Sequence, residues 1–107
     1  MPDTLRSGLV DLMNSLTKVG RNTTDLQQQR DIERLLLLLD PILDDVIAQS
    51  INNSTDDFKA AIKALAQAES DAQAAITDIK KVASTIQSAT AAAKAVDKVI
   101  GLIINLI

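Results

Sequence analysis

Asp40, Asp44 and Asp45 come nearest, by type and spacing, to residues that could do chemistry in this 107-residue chain. Asp40 and Asp44 are four apart, which places both carboxylates on one side of a helix. Paired carboxylates bind Mg2+ or Ca2+, or divide the acid and base roles of glycoside hydrolysis. Their surroundings favour neither use. No EF-hand spacing and no Glu-x-x-His pattern occurs. Asp40 precedes Pro41, where an Asp serves as a helix cap. The three are read as a solvated acidic face, with no metal.

Composition removes most other chemistry. The chain has no Cys, His, Trp or Tyr, and Phe58 is its one aromatic residue. Without thiol or imidazole there is no disulfide framework, no Cys nucleophile, no Ser-His-Asp triad and no sulfur-based metal site. One aromatic ring gives no platform for stacking bases or sugars. Catalysis would fall to carboxylates, Lys, Ser or Thr, and no spacing of these stands out. The expectation is a protein that is not an enzyme and holds no cofactor.

The net charge is −3. Duplex binding needs clustered Lys and Arg. Here residues 1–54 hold five basic and eight acidic groups, and residues 55–107 hold six of each. No nucleic-acid partner is expected. Lys59/Lys63, Lys80/Lys81 and Lys94/Lys98 recur along the C-terminal half, but carboxylates offset them; this is a solvated face of mixed sign. Arg30, Asp31, Glu33 and Arg34 form a mixed patch that is either surface or the charged rim of an interface that sets its register. Asp3, Arg6 and Asp11 interrupt any apolar leader segment, so the expected location is cytoplasmic. The triplets beginning at Asn22, Asn52 and Asn53 fit the glycan-acceptor pattern and are read as turn and cap residues.

These residues must be carried by helices. Gly and Pro number only three and two, and β-branched residues seldom alternate with polar ones. Leu5, Leu9, Leu12, Leu16 and Val19 are spaced four and three apart, which predicts a helix over about 4–19 with Gly20 beyond its end. Thr24 is the expected N-cap of a second helix over 25–51, kinked or restarted at Pro41 with Asp40 as cap. Leu35 to Leu39 are five consecutive leucines. At 100° per residue they cover the whole circumference, so this helix must be surrounded. Ser54 and Asp57 resemble a capping box for a third helix.

Along that third helix Phe58, Ala61, Leu65, Ala68, Ala72, Ala75, Ile79, Val82, Ile86, Ala89, Ala93, Val96, Ile100, Ile103 and Ile107 alternate spacings of three and four without a slip. This is a seam of coiled-coil character over 55–107, about 75 Å long if straight. The first two helices, at about 25 and 40 Å, are too short to cover it. A break near 84–90 would instead fold it back into a four-helix bundle. The expected fold is one all-α domain, an antiparallel bundle of three to four helices with a long Ala-rich C-terminal helix.

The uncovered seam makes Ile79, Val82, Ile86, Val96, Ile100, Ile103 and Ile107 the expected interaction residues. They imply a non-enzymatic interaction or assembly module that pairs with a second copy, a dimer first of all, or docks on another protein. The alternative is a membrane-active or lipid-binding protein using the apolar segment 99–107. Nine residues cannot span a bilayer, and the missing Trp and Tyr anchors count against it.

Overall fold

Leu5, Leu9, Leu12, Leu16 and Val19 are all buried, at 0–2% exposure. They form the inner stripe of α1 (Leu5–Asn22). In this computed structural model residues 5–48 and 56–100 are described. α1 runs through Gly20 to Asn22, further than its expected end. Gly20 stays helical beside the Ile32 methyl, which would lie 3.4 Å from an added Cβ. That is ordinary contact, so no left-handed residue is needed there.

The turn at 23–25 is stitched by its own side chains. Thr23 is buried; its hydroxyl donates to Gln28 Oε1 (3.2 Å) and accepts from the Asp25 amide (3.4 Å). Asp25, and not Thr24, caps α2 (Leu26–Ala48): its Oδ1 accepts from the amides of Gln27 (2.9 Å) and Gln28 (3.1 Å). Asp25→Ala is therefore expected to destabilise the fold by about 1 kcal/mol, and Asp25→Asn by much less. Thermal melts of the two variants check this, with a drop of about 4–8 °C per kcal/mol.

α2 passes through Pro41 as one helix, with no restart at Asp40. Pro41 lies on the exposed side, where its lost amide bond faces solvent. α3 (Asp56–Thr77) and α4 (Val82–Ile100) replace the expected rod. The break falls at Asp78, earlier than the 84–90 alternative. Asp78 is extended (φ −133°, ψ 100°), and its carboxylate accepts from the Lys80 amide (3.1 Å). Thr77 bonds back to the Ala74 carbonyl (3.3 Å). Side chains that satisfy the backbone locally compete with the helix. A single 3-10 turn, Ile79–Lys81, then reverses the chain. The capping Ser54 lies outside the described residues.

The four helices are of similar length, about 27–35 Å, so each has cover. Around the bundle their order is α1, α2, α4, α3; α1 and α4 meet weakly across the diagonal. α1 and α3 are parallel, because Gly8 lies against Leu65, Ser15 bonds Glu69 and Asn22 bonds the Ile76 carbonyl. The bulk is divided unevenly. α1 and α2 supply mainly leucine and isoleucine to the core, while α3 and α4 supply Ala61, Ala68, Ala72, Ala75, Ala89, Ala92 and Ala93 beside Leu65, Val82, Val96 and Ile100. Large side chains on α1 and α2 thus meet mostly small ones on α3 and α4. The radius of gyration, 13.2 Å, matches about 13 Å for a compact chain of this length. The described residues form an all-α bundle.

Candidate interaction surface

The leucine run on α2 divides among three surroundings. Leu35 and Leu39 join Ile32, Ile42 and Val46 in the core. Leu36 and Leu38 are half-buried on the two flanks. Leu36 lines a shallow groove against α1 with Thr17, Gly20 and Arg21. Leu38 lines a groove of about 340 Å³ between α2 and α4, with Leu35 and Ile86 as its apolar floor and Asp31, Arg34 and Lys94 at its edges. Leu37 points away from the bundle and is 74% exposed. The helix is therefore not surrounded by its own chain, contrary to the expectation from the run. Leu26, 68% exposed, lies on the same side of α2 as Leu37, since eleven residues make three turns.

Charged residues flank Leu37. Arg30, Glu33, Arg34, Asp40 and Asp44 are all exposed. Among the described residues the ion pair found is Lys98–Asp57, at 3.4 Å and largely exposed, which contributes tenths of a kcal/mol. Asp40, Asp44 and Asp45 do not converge on a cation site: among the described residues no group of three or more carboxylate, His or Cys side chains could hold a metal.

The expected interaction residues are scattered. Val82, Val96 and Ile100 are buried in the chain's own core, because the fold-back at Asp78 gives them partners on neighbouring helices. Ile86 is half-buried at the α2–α4 groove. Ile79, on the 3-10 turn, is 51% exposed. Ile103 and Ile107 lie outside the described residues. The exposed face of α2 was not singled out by the seam argument; the signal for it was Leu37, the one member of the run at 200° from Leu35.

Two polar clusters fasten the helices to one another. Ser15 donates to Glu69 Oε1 (2.7 Å), and Gln73 Nε2 donates to both Ser15 Oγ (3.0 Å) and Glu69 Oε1 (2.9 Å), joining α1 to α3. The buried Thr85 hydroxyl lies within reach of the Lys81 (2.9 Å) and Asp71 (3.0 Å) carbonyls, and Ser88 bonds the Asp71 carboxylate, joining α4 to α3. With no imidazole in the chain, these hydroxyls have no general base of the triad kind; they fix helix register.

No described helix is long and apolar enough to cross a membrane. Comparison with protein-family models, with curated proteins and with solved structures finds no match.

Proposed function

We propose that this chain is a non-enzymatic protein–protein interaction module that self-associates through a helix face. One observation carries the reading: α2 presents Leu37, 74% exposed, while the other four leucines of its run are buried or half-buried. An isolated exposed leucine is common. Here it belongs to a five-leucine run and shares its face with Leu26 and a band of charges that form no ion pair among the described residues. The surface differs from the C-terminal seam expected from the sequence, whose residues Val82, Val96 and Ile100 serve the interior. The reading keeps the cytoplasmic location expected above.

Light scattering behind gel filtration, over a hundredfold range of protein concentration, tests it. The mass is expected to climb from 11.4 kDa towards twice that value. A constant 11.4 kDa at every concentration would overturn it. Sedimentation with anionic vesicles at the same concentrations would instead support the lipid-binding alternative.

A further inference from the structure

We propose that the groove between α2 and α4 binds a free single-chain carboxylate, with its alkyl chain on the apolar floor and its head held by Arg34 and Lys94. This goes beyond the self-association reading, which is carried by Leu37 on the outer face of α2. The floor of the groove is Leu35, Leu38 and Ile86. Leu35 is buried, and the other two are half-buried. Apolar surface therefore stays in water inside a concavity of about 340 Å³. An alkyl chain laid on it takes both apolar surfaces out of water. Lys94 and Ile86 are eight residues apart on α4, about 12 Å along the helix, which gives a chain of medium length a continuous track. The volume is at the small end of ligand sites. It suits one short chain, so the ligand is a free amphiphile and not a membrane surface.

The walls set the sign of the head. Arg34 stands on α2 and Lys94 on α4, and both are exposed. Neither forms an ion pair or a hydrogen bond among the described residues. Asp31 is the one carboxylate of the lining, and it already accepts from Gln27 Nε2 (3.0 Å). Thr90 donates its hydroxyl to the Ile86 carbonyl (2.8 Å). The donors left over are thus two cations, one from each wall, and they fit an anionic head. A guanidinium takes a carboxylate through two parallel hydrogen bonds, and an ammonium adds a point charge. The groove on the other flank of α2 has no such bias, because Arg21 and Glu33 line it together.

The test titrates sodium octanoate, below its micelle-forming concentration, into dilute isotope-labelled full chain. The backbone amide resonances of Leu35, Leu38, Ile86 and Thr90 are expected to shift saturably, with a Kd of about 1 mM or lower. Octylammonium, with the same chain and the opposite head, leaves them in place. The double variant Arg34→Gln/Lys94→Gln weakens octanoate binding about tenfold or more, and added salt weakens it in the native chain. Both substitutions are at exposed positions, and far-ultraviolet circular dichroism checks that the variant is folded. Three results would each overturn the proposal. Octylammonium moves the same resonances as far as octanoate does. The folded double variant binds octanoate as the native chain does. Octanoate gives no saturable shift at the groove, whether or not the chain sediments with anionic vesicles.

Discussion

Leu39→Ala is expected to remove about 2–5 kcal/mol of stability, whereas Leu37→Ala, two residues away in the same run, leaves it within about 0.5 kcal/mol. Leu39 is fully buried at the middle of α2, and Leu37 is 74% exposed. Truncating the first strips its buried methyl groups and leaves a cavity among side chains that relax only in part. Truncating the second removes atoms already in water. Urea unfolding of dilute protein, where association is minimal, measures both; the midpoint moves and the slope stays fixed if only stability changes. Equal losses at the two positions would contradict the orientation of α2, and with it every statement about its outer face.

The second large effect comes from adding bulk. Ala72→Leu is expected to cost about 1–3 kcal/mol or more, while Ala83→Leu, on the exposed side of α4, is nearly neutral because Leu and Ala have similar helix propensity. Ala72 is fully buried on the side of the bundle where small residues let α3 come close to its neighbours. Three added carbons there have no space without backbone movement. Thermal unfolding of the two variants checks the contrast. Tolerance at Ala72 would mean that the alanine face is looser than its burial implies.

The apolar rhythm made the helices and much of the core legible. Leu5 to Val19 and Ile32 to Val46 alternate threes and fours, and the buried stripes of α1 and α2 follow them. The reversal at Asp78 was not legible from that rhythm. Ala75 and Val82 belong to one seam whether the chain runs straight or turns back, since both helices must face the same interior. The informative residues were Thr77 and Asp78, whose side chains hold the backbone out of the helix. Gly20 misled in the other direction, being helical beside Ile32. The seam argument then assigned Val82, Val96 and Ile100 to an intermolecular role because it supposed a rod too long to cover. Once the rod is folded, those side chains belong to the interior, and the surplus apolar surface described here includes Leu37. Its exposure follows from the helical angle alone, but which two leucines of five face the core is decided by the neighbours of α2.

The parallel pairing of α1 with α3 bears on how the chain finds this arrangement. Turns at 23–25 and 78–81 let each hairpin close over a short stretch. The joining of the hairpins depends on groups such as Ser15 and Glu69, fifty-four residues apart, and closing so long a loop is entropically uphill before those contacts form. Seven of the eleven buried apolar side chains described on α3 and α4 are alanine, each of which buries little area. The bonds that join Ser15 to Glu69 and Asn22 to Ile76 are therefore the ones expected to form last.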